Sequence, residues 1–555
     1  MGNFVRMKYL LSCLAGVMAL NVLAGFFYFR LDLTEDKRYS LSGATENLLG
    51  QLDDEVYVKV YLDGDLNPGF RHLQESVRET LEEFKTRSGG HFDYRFIDPS
   101  EGDTKRREAL YETLAGKGLV PTNVVEGGDD NRSQKLLWPG AVMTYGKKET
   151  AIQLLKGNIA KSALENLNLS AENVEYTLAT ALRELTQKEK KRIGLLTTLS
   201  KRLDAVRMSD LIVALQKNYE IFQVNLQTSP NLDGLDAILV VKPDQPLAED
   251  DQLKIDQFII HGGKALFFVD GAVTDSVAQG GLFAKPAELK FNDLLFRYGL
   301  RTNAVVVKDL LSAQIPLTVG MMGDRPNIQL MPWRFYPLLN TFGTSPITRN
   351  LDAVYGRYIG YLDTVAAPGI RKTPLILTSP YTQVLHAPAV IPYNEASQKP
   401  DPARYQGGQK VVAYLLEGTF TSLFKNRLLP DDPRSKGLAV QDKPSKIVVV
   451  ADGNLPLNEF DSRRQVPLPL GFDRFSPDRH VYANKDFVMN AVDYLLDDNG
   501  VITARNKEFR LRPLDKVKIS ENKAFWQLLN LAGPLVLVGL LAVTWFGWRR
   551  KQYTV

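Results

Sequence analysis

The sequence predicts an α/β protein in which a large ectodomain lies between two terminal membrane-spanning helices. Three observations carry that expectation. Tyr9–Phe29 and Trp526–Trp548 are uncharged stretches near the two ends of the 555-residue chain. Between them, short apolar runs alternate with amphipathic helical patterns, the grammar of sheets covered by helices. A single cysteine, Cys13, excludes intramolecular disulfides and every CxxC redox or zinc motif. A composition of 44% hydrophobic and 24% charged residues suits a folded chain, and the length implies several domains.

The charge sits at the ends. Residues 1–31 and 526–555 hold Arg6, Lys8, Arg30, Arg549, Arg550 and Lys551 and no Asp or Glu. Removing those six from 68 basic residues leaves 62 against 64 acidic ones, so the formal +4 becomes −2 for the body. No basic footprint for phosphate remains, and nucleic acid is not an expected partner.

Either apolar stretch, as a helix, spans about 30 Å, the thickness of a bilayer core. Trp526, Trp545, Trp548 and the following Arg549-Arg550-Lys551 have the composition of membrane interfaces. The apolar run of residues 9–29 exceeds a signal-peptide core, and Cys13 follows Lys8 too closely for a lipoprotein signal. It therefore reads as an uncleaved anchor. Two spans put both termini on one side, and the C-terminal basic cluster favours the cytoplasm. The expected order is a cytoplasmic segment 1–8, a span 9–29, a periplasmic body, a juxtamembrane link 501–525, a span 526–548 and a cytoplasmic tail 549–555. Ala15 and Ala19 form a small-xxx-small pair, Asn21 is a polar residue in the first span, and Gly533-Pro534 with Gly539 make a notch and a kink in the second. These six are the candidate contacts with a partner's helices.

Residues 31–157 read as one module. Val56–Leu62 alternates as a strand. Phe70–Arg87 places Phe70, Leu73, Val77, Leu81 and Phe84 on one helical face, Gly89-Gly90 stops it, and His91–Ile97 is the next strand. A helix over 105–117, a strand after Pro121 and a hairpin over 141–155 turning at Gly146-Lys147 complete the order. That order resembles the thioredoxin-like fold, with Pro121 where the fold carries a cis proline. Asp63-Gly64-Asp65-Leu66 stands where the redox motif would, so redox activity is excluded.

Residues 158–192 read as a helical connector with Leu164, Leu167, Val174, Leu178, Leu182 and Leu185 apolar, ending in the charge run Lys188–Arg192. From 193 to 500 the pattern is that of a parallel-sheet module, flavodoxin- or amidotransferase-like. Its strands are expected at 193–197, 219–226, Ala237–Val241, Ala265–Val269, Ala304–Val307 and, returning to the same sheet, Ile447–Val450. An insertion at about 310–440 carries no readable pattern. Asn484–Leu496 is the last helix of the body.

Signals for chemistry are thin. No P-loop and no HExxH occur, and His72, His91, His261, His386 and His480 are dispersed. Asp63–Asn67 begins like a calcium loop, but Pro68 replaces the glycine and Gln74 the bidentate glutamate. Ser422-Leu423-Phe424-Lys425 fits SxxK without its companion motifs. Asp270-Gly271 and Asp452-Gly453-Asn454 follow apolar strands, where carboxylates cap turns or, in open sheets, bind ligands. No catalytic residue, metal or cofactor is predicted.

Five segments together carry a resemblance: LDLTEDKRYSLS at 31–42, VYVKVYLDGDLNPGFRHLQESVRETLEEF at 56–84, IDQFIIHGGKALFFVD at 255–270, NKDFVMNAVDYLLDD at 484–498, and the C-terminal anchor. The chain resembles the GldG family of gliding-motility-associated ABC transporter auxiliary (substrate-binding-like) proteins of Bacteroidota. Thr197-Thr198-Leu199-Ser200 stands where that family has a Gly-His-Gly-Glu-like turn. The resemblance implies a non-enzymatic inner-membrane subunit working with a multi-span permease, a separate cytoplasmic ATPase and other gliding or secretion proteins of the envelope. The alternative expectations are a two-span envelope scaffold or polysaccharide chain-length regulator acting by self-assembly, and a membrane-anchored hydrolase using Asp270 or Asp452.

Overall fold

The structure is a computed structural model of the chain. It describes residues 40–126, 133–155, 162–497 apart from isolated positions, 500 and 523–553, together with residues 16 and 18. Apart from residues 16 and 18, the first predicted span, with Ala15, Ala19 and Asn21, lies outside the described residues. The fold is mixed α/β, and residues 508–555 form a unit separate from the body.

The first module is built on a four-stranded sheet. Its elements are α1 (Gly43–Gly50), β1 (Val56–Val60), α2 (Pro68–Arg87), β2 (Phe92–Phe96), α3 (Thr104–Gly116), the separate hairpin β3 (Thr122–Glu126) and β4 (Ser133–Leu137), then β5 (Gly140–Tyr145) and β6 (Lys148–Gln153). The sheet order is β2-β1-β5-β6, with β1 parallel to β2 and antiparallel to β5. All five residues predicted for the buried face of α2 are buried. They pack on Val56, Val58 and Val60, the inward residues of an alternating strand. Asn67 caps α2, its Oδ1 accepting from Phe70 N at 3.0 Å, and Pro68 begins the first turn, so the calcium-like loop is a helix start. Pro121 precedes the separate hairpin, and the one cis peptide among the described residues is Ala387–Pro388. The expected cis proline at 121 is thus corrected: β3 pairs only with β4.

The connector is two helices, α4 (Ala163–Glu172) and α5 (Val174–Thr186), and not one. Asn173 breaks them with φ −93° and ψ 3°, its amide Nδ2 donating to Leu169 O at 2.8 Å, so the helix gives way to a local bond. Leu164, expected on the apolar face, is 62% exposed because it lies in the first turn, before the helix reaches the core.

The second module holds β7 (Arg192–Leu196), α6 (Ser209–Asn218), β8 (Glu220–Val224), β9 (Ala237–Val241), α7 (Glu249–Ile260), β10 (Lys264–Phe268), α8 (Phe291–Tyr298), β11 (Thr341–Phe342), β12 (Ile370–Leu377), β13 (Val411–Gly418), β14 (Ser445–Val450) and α9 (Asn484–Leu496). Its eight-stranded sheet runs β11-β12-β13-β14-β10-β9-β7-β8. The five strands β8-β7-β9-β10-β14 are parallel, and in chain order they read 2-1-3-4-5, a doubly wound arrangement. Alternate residues of the central strands feed two cores. Leu239, Leu266, Phe268 and Val448 face α6 and α9, whereas Ile238, Val240, Phe267 and Val449 face α7 and α8. Burial on both faces explains why these strands read as unbroken apolar runs.

Two expectations fail here. Val305–Asp309 does not join the parallel sheet but pairs with Thr382–His386 in a sheet of its own. The stretch 310–440 is not a wholly separate insertion: β11, β12 and β13 extend the main sheet antiparallel beyond β14. The rest of it is β-rich, dominated by a long hairpin of Ser312–Met322 with Arg325–Leu339. Cross-strand partners so far apart in sequence leave no local periodicity to read.

Candidate functional site

Three apolar strands end side by side at the carboxyl edge of the parallel sheet, where open α/β sheets place ligands. β9 leads to Lys242, β10 to Asp270, and β14 to Asp452-Gly453-Asn454. Lys242 adopts φ 45° and its Nζ reaches Asp270 Oδ2 at 2.9 Å and Asn454 Oδ1 at 2.8 Å. The other Asp270 oxygen accepts from Gly453 N at 2.6 Å. Gly453 is required: a Cβ there would stand 2.7 Å from Asp270 Oδ2 and 2.9 Å from Lys242 Cγ.

Asp452 is fully buried and accepts from Asn454 N at 2.8 Å and from Arg357 N at 3.1 Å. The Arg357 guanidinium closes the far side, donating to Asn454 O at 3.1 Å and Leu457 O at 2.9 Å. Burial, then the neighbouring Asp270 charge, pushes the Asp452 carboxyl up to about 6, against the pull of Arg357 and the two amides. The cluster is closed on itself. Its carboxylate oxygens are taken up by the protein's own N–H groups, which makes the capping role of these aspartates the one the geometry favours.

The turn after β7 is occupied in the same way. Ser200 Oγ donates to Val241 O at 2.5 Å, and Asp244 N donates to Leu199 O at 2.8 Å, so Thr197–Ser200 is fastened to the end of β9. Ser422 of the SxxK sequence is fully buried and donates to Asp256 Oδ2 at 2.5 Å, which also receives Tyr298 OH on its other oxygen at 2.8 Å. That serine is a strut between α7 and the 420–424 loop. Among the described residues no group of three or more His, Cys, Asp and Glu is set to hold a metal. Asp270, Asp452 and Asn454 were legible as strand ends, and Lys242 obeys the same rule after AILVV. Arg357 carries no signal, because the cluster reaches it from about 95 residues away.

A groove of about 590 Å³ marks the joint between the modules, lined by Leu48, Asp53, Arg183, Lys191, Tyr219 and Asp497 among others. Arg183 of α5 lies across it, with Nη2 3.1 Å from Asp493 Oδ1 and Nη1 3.7 Å from Asp497 Oδ1 at the end of α9. Tyr219 OH also donates to Asp493. Burial and the Asp493 charge raise the Tyr219 phenol well above its ordinary range, and the same two causes raise Glu184.

The separate unit holds α10 (Lys523–Tyr553). Within it Phe525–Lys551 has a mean hydropathy of 2.0 and at ~1.5 Å per residue exceeds a bilayer core in length. Of the predicted contact residues, Gly533, Pro534 and Gly539 lie on this helix, and a Cβ added at either glycine would meet nothing within 4 Å.

Residues 190–491, more than half of the chain, match the auxiliary family model described as an ABC-type uncharacterized transport system. The chain belongs to this family. The apolar α10 together with the family points to membrane association. Residues 35–144 match a domain of unknown function. An uncharacterized protein of Borreliella burgdorferi is 25% identical over 330 residues, 58% of this chain and 60% of that protein, so the chain spans about three fifths of that relative's length. A solved structure, the mmIFT52 N-terminal domain, is similar over 55% of this chain and 97% of its own at 12% identity, with a TM-score of 0.30, too distant to inform fold or function.

Proposed function

We propose that this protein is a non-enzymatic, two-pass subunit of an ABC transporter complex, anchored in the bacterial inner membrane with its body in the periplasm. The family match over 190–491 carries this reading. Support comes from α10, which ends in Trp545, Trp548 and Arg549-Arg550-Lys551, the pattern of a cytoplasmic interface. The first span is 9–29, and Ala15, Ala19, Asn21, Gly533, Pro534 and Gly539 contact the permease. A separate ATPase supplies the energy, and the five segments resembling the gliding-motility family suggest that process.

The body acts by binding. Its domains are a thioredoxin-like module at 31–157, a connector at 158–192 and an α/β module at 193–500. The β2-β1-β5-β6 order with β5 antiparallel agrees with the first assignment. The closed strand-end cluster agrees with a body that holds partners without turning over a substrate.

Affinity purification of the tagged full chain from its own cells in mild detergent, followed by mass spectrometry, tests the proposal. A stoichiometric permease and ATPase are expected. Recovery of homo-oligomers or envelope polymers alone would replace the transporter reading with a self-assembling scaffold. Within the complex, Gly539→Leu and Gly533→Leu should reduce permease recovery several-fold while leaving expression intact; unchanged recovery would remove these glycines from the contact.

A further inference from the structure

The core of the first module and the two cores of the second share no residue. Among the described residues Tyr176 of α5 packs against Tyr494 of α9 across the joint, in a small cluster apart from those cores. The charged contacts across it centre on one arginine. Arg183, with its side chain 18% exposed, projects from α5 to two carboxylates on the last turn and cap of α9. Asp493 is 9% and Asp497 2% exposed, and Tyr219, at the junction of α6 and β8, adds its hydroxyl to Asp493. Lys148 Nζ, from β6, also reaches Leu185 O and Gln187 O at 3.3 Å, tying the end of α5 back to its own module. Thr180 Oγ1, one turn before Arg183 on the same helical face, and Asn218 Oδ1, beside Tyr219, are buried without a protein partner. Tightly fitted permanent interfaces satisfy such atoms, and a thin polar interface between modules is the kind that opens.

We propose that the joint is an articulation locked by Arg183, and that the lock is a conformational switch between the two modules. Two features place it where a switch is useful. It grips the last residues of α9, and only 25 residues of chain separate Asp497 from Lys523, where α10 starts. The bonds described above run from the side chains of Arg183 and Tyr219 to carboxylates, so they can part without breaking a strand or a helix. Parting leaves charges that the 590 Å³ groove beside them can hydrate. In chain order, a displacement of the membrane helix would enter the body close to the residues that the lock grips. This last step rests on the proposed membrane anchoring; the lock itself rests on the geometry of the joint.

The test measures the joint directly in the purified full chain. Spin labels are placed at Glu79→Cys on α2 and Glu288→Cys before α8, both exposed, in a Cys13→Ser background, and the distance distribution is read by pulsed electron resonance. The wild-type lock should give one dominant distance. Arg183→Ala removes the guanidinium that both Asp493 and Asp497 face and should raise a second population by roughly tenfold or more. Asp497→Asn, which leaves the Asp493 pair in place, should raise it less, and Arg183→Lys should restore most of the first. Identical distributions for all four proteins would overturn the proposal, as would a wild-type distribution as broad as that of Arg183→Ala. Should Arg183→Ala fail to fold, Asp497→Asn and Arg183→Lys still decide the matter by the same readout. Absence of copurifying transporter subunits would sink the anchoring step and leave these distances meaningful.

Discussion

The protein holds two buried ionic clusters that look alike in composition and differ in how they are held. At the strand ends, Lys242, Asp270, Asp452 and Arg357 are interleaved with main-chain N–H groups of Gly453, Asn454 and Arg357 itself. At the joint, Arg183, Asp493, Asp497 and Tyr219 touch one another through side chains. The first cluster cannot rearrange without moving the loops that define it. The second can lose its bonds while both modules stay folded. Main-chain donors make a cluster part of a fold; side-chain donors alone make it a contact between folds.

Mutations can break or sharpen this contrast. Asp493→Ala should have the largest effect, since it leaves the Arg183 guanidinium buried without its nearest carboxylate, a loss of about 3–5 kcal/mol. In calorimetry the loss should appear as a splitting of the melt, the two modules unfolding separately. A single transition shifted as a whole would mean that the joint is as integral as the strand ends.

Asp452→Asn probes the first cluster through pH. The native carboxyl titrates near 6 and the unfolded one near the ordinary 3.8, so the native state holds the proton more tightly between those values. Its contribution is present in full below the unfolded value and is lost as pH rises through about 6, a fall of about 3 kcal/mol. The stability curve of Asp452→Asn should lack that fall, and the difference between the two curves should flatten above pH 7. Parallel curves from pH 4 to 7 would show that the carboxyl is not buried as described.

Gly453→Ala should cost about 1–3 kcal/mol by forcing Asp270 and Lys242 apart. The shift should affect a single transition, in contrast to Asp493→Ala. Lys85→Ala on α2 removes an exposed pair with Asp93 and should leave the melting temperature unchanged within error. A shift there would mean that charge at large, not burial, sets these effects.

The clusters also differ in how visible they were. Asp270 and Asp452 announce themselves because a polar residue after a run such as ALFFV or IVVV must sit at a strand end. Arg183 lay in a helical pattern whose apolar face was read correctly from Leu167 to Leu185, but its partners are 310 residues away. The break at Asn173 was invisible to periodicity, because the apolar spacing carries on across it.

By itself the sequence determined the helices and strands whose burial repeats locally: the face of α2, the doubly buried β9, β10 and β14, and the apolar length of α10. Periodicity is a property of near neighbours and survives without knowledge of partners. Only the tertiary structure decided that Val305–Asp309 leaves the main sheet, that β12 and β13 extend it, and that Arg357 and Arg183 each close a distant cluster. Those contacts are made between residues of high sequence separation, where chain topology and not composition chooses the partner.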